Sequence, residues 1–165
     1  MNSPFFNNTQ ISVFLESLQP LVEIHDSDMF LATICAFIAH GGKKDKEGEP
    51  YFLHPIRVAA MLESKEAKLV ALLHDVIEDS SITSNNLIAM GFSKVIVDAI
   101  LALTRKKLQS YSAYLKQVSS NSLARTVKIA DITDNMNPDR LRKLDKATQK
   151  RLAQKYEEAI RYLSL

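Results

Sequence analysis

The stretch ALLHDVIEDS, residues 71–80, closes an apolar run and turns acidic within ten residues. Upstream, Lys65 to Lys68 is charged and Leu69 to Leu73 is apolar, so the pattern predicts one helix from about Lys65 to Glu78. On it, His74 and Glu78 lie one turn apart, as do Asp75 and Asp79, which stacks four polar groups in a narrow stripe. Three of the four are carboxylates. The Ser80-Ser81 break puts them near the helix C-terminus, at the negative end of the macrodipole. Such a cluster repels itself unless a cation or basic partners are present. A solvated acidic helix end is the simple alternative, but His74-Asp75 directly follows an apolar run, where a polar pair must be satisfied.

Outward from this segment the chain reads as helices. Met29–His40 is apolar nearly all round and ends at Gly41-Gly42, and GGKKDKEGEP, residues 41–50, holds three of the four glycines and is the clearest loop. Pro55 suits a first helical turn, with Ile56, Ala59, Ala60, Met61 and Leu62 forming an apolar face. Thr83 or Ser84 caps a short helix ending at Gly91, and Ser93 caps Lys94–Leu103. Tyr111–Val118, Leu123–Asn135 and Lys146–Leu163 follow, the last with Leu152, Tyr156, Ile160 and Leu163 on one face; Ile11–Leu18 is a short amphipathic segment near the start. No repeat and no strand pairing emerges, so the fold class is all-α.

The 165 residues, 46% of them hydrophobic, suffice for one core and predict a single domain over 1–165. Twenty-one basic against 19 acidic side chains leave a formal charge of +2, which argues against nucleic acid as a partner. The single cysteine, Cys35, excludes an intramolecular disulfide, fits a reducing compartment and reads as a buried thiol. MNSPFFNNTQ lacks the features of a secretory signal, and the longest apolar stretch, Met29–Ala39, is too short to span a bilayer. A soluble, cytoplasmic protein without a membrane partner is expected; the sequence leaves its oligomeric state open.

Two further segments carry chemistry. In VKIADITDNM, residues 127–136, Asp131 follows apolar residues and Asn135 lies one turn on, so Asp131 is either a ligand or a partner of Lys128 or a backbone group. In PYFLHP, residues 50–55, His54 stands at a helix start, where a histidine by itself is more often simply packed. Together His54, His74, Asp75 and Asp131 form a mixed N/O set suited to Mn²⁺, Fe²⁺ or Zn²⁺ rather than Ca²⁺. Such a site leaves coordination positions for water and a phosphate oxygen.

At AHGGKKDKEGEPYFLHPIRVA (39–59), ALLHDVIED (71–79) and VKIADITDNM (127–136) the chain resembles the HD-domain metal-dependent phosphohydrolases. It is most similar to the hydrolase domain of the RelA/SpoT alarmone enzymes and the small alarmone hydrolases. The resemblance implies a compact multi-helix bundle around a central metal site. It implies metal ligation by His54, His74, Asp75 and Asp131, with Mn²⁺ the usual ion. It assigns Glu78 and Asp79 to positioning or activating the attacking water, and Asn135 to the nucleotide site. The implied reaction is release of the 3′-pyrophosphate of a (p)ppGpp-like alarmone. Four positions depart from the family pattern. Asp45-Lys46 stands where Arg-Lys is usual, the arginine stacking on guanine; Asn137-Pro138 follows Met136 in place of Arg-Thr; and Asp134 replaces a frequent histidine. Base identity therefore stays open, as do a nucleotidase or phosphatase acting on another metabolite and a non-catalytic nucleotide sensor.

For substrate contacts, Lys43, Lys44 and Lys46 lie in the loop before His54, and the ungapped match favours Lys46. Arg105 and Tyr111 pair a cation with an aromatic ring that could clamp phosphate and stack a base, although a helix-end charge and a packed tyrosine read as well. Lys128 is a phosphate contact or an ion-pair partner. His40 is expected to position the glycine loop, and His25 to lie on the surface.

Overall fold

The computed structural model describes residues 26–165, and the expectations for Ile11–Leu18 and His25 fall outside them. Among the described residues the chain is helical: α1 (Ser27–Ala39), α2 (Leu53–Ala60), α3 (Lys65–Leu73), α4 (Val76–Asp79), α5 (Ser84–Ala89), α6 (Lys94–Leu103), α7 (Tyr111–Ser119), α8 (Ser122–Asn135), α9 (Pro138–Leu141) and α10 (Lys146–Leu163). The one extended pairing among the described residues is an isolated bridge between Lys44 and Pro50, which closes the loop after α1. Gly42 and Gly48, at φ of 76° and 86°, let that loop turn twice where a side chain would be strained.

Helix α3 is the pillar. Leu69, Val70, Ala71, Leu72 and Leu73 are all buried, because α1, α2, α6 and α8 pack around it and leave no solvent face. Each fully buried leucine contributes about 1.5–3 kcal/mol relative to exposure. Side-chain caps start most helices: Asp26 for α1, Ser64 for α3, Ser93 for α6, Ser110 for α7, Asn121 for α8 and Asp145 for α10. Thr83 caps α5 reciprocally with Asn86. Cys35 is buried, its sulfur 3.7 Å from Met90 Sδ. No described helix is long and apolar enough to cross a membrane.

Two features depart from the sequence reading. The continuous helix expected over Lys65–Glu78 breaks at His74-Asp75, and a short helix, α4, restarts at Val76. The cause is local: His74 Nδ1 approaches the Ala71 carbonyl at 2.7 Å, taking the acceptor that a continuing helix would give to the Asp75 amide. His74 and Glu78 therefore do not share a stripe; His74 is buried and Glu78 is exposed. The second is α9, which was not anticipated. Asn137 accepts the Asp139 amide at 2.9 Å and Pro138 occupies the first turn, so the Asn-Pro pair that departs from the family pattern builds a helix start.

Candidate metal centre and adjoining cavity

Three elements converge beneath α3. Helix α2 supplies His54 from its first turn, the break after α3 supplies His74 and Asp75, and the inner face of α8 supplies Asp131. One ligand atom each from His54, His74 and Asp131 lies within 4.8 Å of the others, and all three residues are buried. His54 Nε2 stands 3.1 Å from Asp131 Oδ1, and the two imidazole rings meet edge-on at 5.3 Å.

Each histidine is pinned through Nδ1, His54 by Asp134 Oδ2 at 2.7 Å and His74 by the Ala71 carbonyl. Both therefore turn Nε2 to the cluster, and His74 Nε2 is buried with no hydrogen-bond partner. Asp75 sits at the rim rather than in the tight group. Its Oδ2 accepts the Tyr51 hydroxyl at 2.6 Å and lies 3.2 Å from His74 Nε2. Asp131 is gripped on both oxygens: Lys128 Nζ donates to Oδ2 at 2.6 Å, and Asn135 Nδ2 donates to Oδ1 at 2.6 Å. Two pinned imidazoles, a buried carboxylate and an orphaned ring nitrogen are a donor set that fits a first-row divalent cation.

The electrostatics follow from burial opposed by pairing. Burial pulls the His74 pKa down, but the neighbouring Asp75 carboxylate overrides it and raises it to about 9. Burial likewise opposes a charged His54, whose bonds to Asp131 and Asp134 win and raise it. Burial would raise Asp131, and the Lys128 ammonium and His54 hold it well below the usual carboxylate range. Asp75 is held low by His74 against the same burial.

The cluster opens onto a cavity of about 320 Å³. His54, Asp75, Asp131 and Asn135 line it, and so do five cations: Lys44, Lys46, Lys128, Arg140 and Lys155. Tyr51, Tyr111 and Tyr156 supply ring surface. Lys155 Nζ lies 4.6 Å from the Tyr111 ring centroid and 5.3 Å from that of Tyr156. Burial lowers the Lys155 pKa, as do the neighbouring cations Lys128, Lys46 and Arg105.

Among the residues singled out from sequence, Lys46, Tyr111, Lys128 and Asn135 line the cavity with His54, Asp75 and Asp131, and Lys128 is an ion-pair partner of Asp131. Lys43 turns away and donates to the Asp79 carbonyl. Arg105 is not among the lining residues. Its guanidinium donates to the Gln109 carbonyl, at 2.7 Å from one nitrogen, and lies 5.9 Å from the Tyr111 ring centroid. Glu78 and Asp79 also stand off the lining, Glu78 accepting the Arg105 amide at 3.1 Å and Asp79 flanked by Lys43 and buried His40. The His40 backbone carbonyl accepts the Lys43 amide at 3.0 Å at the start of the loop, while both nitrogens of its buried ring lack a hydrogen-bond partner. Asp45 shapes the same loop, accepting the amides of Glu47 and Glu49.

No family model matches the chain. Individual relatives do. A guanosine-3′,5′-bis(diphosphate) 3′-pyrophosphohydrolase of Haemophilus influenzae is 35% identical over 130 residues, spanning 67% of this chain and 19% of the relative. One of the same description from Vibrio cholerae is 32% identical over 130 residues, spanning 67% and 18%. A GTP pyrophosphokinase of Myxococcus xanthus is 32% identical over 132 residues, spanning 70% and 17%. The chain thus spans less than a fifth of the length of these curated relatives. Among solved structures, a metazoan ortholog of SpoT that hydrolyses ppGpp superposes with a TM-score of 0.71 at 19% identity, covering 84% of this chain and 86% of that one. The chain has an HD-type domain like that of the RelA/SpoT hydrolases.

Several residues of this HD-type domain escaped the sequence reading. Asp134 and Arg57 were legible in principle, since Asp134 is three residues from Asp131 and Arg57 three from His54, on the same helix faces. Tyr51, Arg140, Lys155 and Tyr156 carry no local signal and reach the cavity only through packing.

Proposed function

We propose that this chain is a metal-dependent pyrophosphohydrolase that removes the 3′-pyrophosphate from a guanosine bis(diphosphate)-like alarmone. The observation that carries this is a buried His54–His74–Asp131 cluster opening onto a cavity lined by five cations, a combination matched to a polyanionic substrate. The activities for which the bacterial relatives are named support the same reading.

In this reading His54, His74 and Asp131, with Asp75 at the rim, hold a divalent cation, Mn²⁺ in the first instance and Fe²⁺ or Zn²⁺ as alternatives. When bound, the cation supplies Lewis-acid stabilisation of charge developing on the phosphoryl group. Lys44, Lys46 and Lys155 bind the remaining phosphate oxygens, and Lys128 and Asn135 keep Asp131 oriented. Tyr111 and Tyr156 offer ring faces to the nucleoside. Glu78 and Asp79, which follow Asp75 in sequence and stand off the cavity lining, take up and return the proton of the attacking water in this reading. Arg105 acts on the site through Tyr111. The base is left open, because Asp45 is engaged in the loop and offers nothing for stacking on guanine. The remaining elements of the reading are one domain over 1–165, a small-molecule nucleotide as the partner and a cytoplasmic setting.

The test is release of pyrophosphate and phosphate by Mn²⁺-loaded protein from ppGpp, ppApp and nucleoside monophosphates, with Asp75→Asn as control. Pyrophosphate from one alarmone, lost in the control, is the expected result. Phosphate from monophosphates alone overturns it in favour of a nucleotidase, and no turnover of any substrate overturns the enzymatic reading.

A further inference from the structure

Asp134 is buried in α8 at 4% exposure and is bound by more donors than any other carboxylate near the cluster. Arg57 Nε donates to its Oδ1 at 2.8 Å and Arg57 Nη2 to its Oδ2 at 3.1 Å, while Arg140 Nη1 donates to Oδ2 as well. A carboxylate clasped by two guanidinium groups is an acceptor only. The nitrogen it meets at 2.7 Å, His54 Nδ1, must then be the donor, so that Nε2, 3.1 Å from Asp131 Oδ1, is the nitrogen that gives up its proton when the ring becomes neutral.

Arg140 has a second set of partners. Its Nε donates to Glu47 Oε2 at 2.6 Å, and its Nη2 lies 3.3 Å from Asp45 Oδ2. Asp45 and Glu47 flank Lys46 in the loop after α1, and their side chains are almost fully buried beneath it. One continuous chain of bonds therefore runs from the loop that carries the lysines, through Arg140 and Asp134, to the ring of His54. Its members lie on α2, α8, α9 and the loop, so nothing local in the sequence obliges them to meet.

We infer that Asp134 is a positioning residue that fixes His54 with its proton on Nδ1, and that Arg140 braces this contact against the lysine-bearing loop. The inference rests on the metal reading above for its consequence, but the proton placement is a property of the protein alone. Replacing Asp134 by Asn offers an amide that can turn its NH₂ to His54 and its oxygen to the arginines. The ring would then carry its proton on Nε2, aimed into the cluster, the same logic by which a histidine loses its working tautomer when its carboxylate partner becomes an amide.

The experiment uses the whole chain in three forms: wild type, Asp134→Asn, and Arg140→Gln, which removes the brace while leaving the His54–Asp134 bond. Selective ¹⁵N labelling of histidine reports, on metal-free protein at alkaline pH where the imidazole is neutral, which ring nitrogen is protonated. Electron paramagnetic resonance of free Mn²⁺ reports affinity. The expected result is a His54 proton on Nδ1 in the wild type and on Nε2 in Asp134→Asn. Mn²⁺ affinity should fall about 10- to 100-fold in that variant and by a smaller factor in Arg140→Gln. An unchanged tautomer in Asp134→Asn overturns the inference, and should that variant fail to fold, an unchanged Mn²⁺ affinity in Arg140→Gln overturns it. A wild type that takes up no Mn²⁺ overturns the metal reading instead, and the tautomer spectrum still decides the role of Asp134.

Discussion

Replacing Lys128 by Met tests the charge balance at the heart of the cluster. Lys128 Nζ lies 2.6 Å from Asp131 Oδ2, with side-chain exposures of 16% and 6%, so the pair is shielded from water. Removing one partner of a buried pair typically costs about 3–5 kcal/mol, because the other charge is left uncompensated. Here His54 and Asn135 still hold Asp131 Oδ1, which places the expected loss near the lower end, about 3 kcal/mol. For a chain of this size that corresponds to a fall in Tm of roughly 6–12 °C. In EDTA the variant should show this deficit by both thermal and urea unfolding. Saturating Mn²⁺ should then narrow the gap, since a cation in contact with Asp131 replaces the lost ammonium; for scale, a ligand at 100 times its Kd stabilises by about 2.7 kcal/mol. A variant as stable as wild type in EDTA would refute the compensating role of Lys128. A gap that Mn²⁺ leaves untouched would refute contact between Asp131 and the metal.

The remaining predictions concern the rim, a buried histidine and the core. Asp75→Asn should abolish turnover and weaken Mn²⁺ binding together, whereas Glu78→Gln, altered at an exposed side chain off the cavity lining, should keep Mn²⁺ affinity and lose turnover by about 10²- to 10⁴-fold, as steady-state assays and metal titration will show. His40 is buried, and burial lowers its pKa from 6.5 to about 4. The folded state therefore binds fewer protons than the unfolded chain in that interval, so stability should fall as pH drops from about 6.5 to about 4, by about 3 kcal/mol in total; urea midpoints across this range should flatten in His40→Gln. Leu72→Ala, at a fully buried position of α3, should cost about 2–5 kcal/mol in urea unfolding with little change in the slope against denaturant.

Much of the domain is readable from local patterns. The apolar run Leu69–Leu73 announces a helix, and that helix is the pillar of the bundle. Ser64, Ser93 and Asp145 stand where their side chains can bond the first free amides, and helices α3, α6 and α10 begin there. His54, His74 and Asp131 each follow apolar residues, a cue that works because a buried polar group must find a partner. The same logic failed at His74-Asp75. There the imidazole competed with the backbone for the Ala71 carbonyl, and a helix that periodicity would have continued was broken.

What the sequence by itself determined is thus most of the helices, though not the break at His74-Asp75 or the short α9, together with the identity of the side chains that must be satisfied around α3. These follow from interactions within one or two turns, whose spacing is written directly in the chain. The tertiary structure alone decided which of those side chains share a centre. It drew His54, His74 and Asp131 together, left Asp75 at the rim, kept Glu78, Asp79 and Arg105 off the cavity lining, and brought Arg140 and Lys155 to the cavity from elements far along the sequence. The physical reason is that such meetings depend on how helices cross and which faces their burial forces inward. Asp134 makes the point: its spacing from Asp131 puts it on the same helix face, but only tertiary packing puts it between two arginines and a histidine.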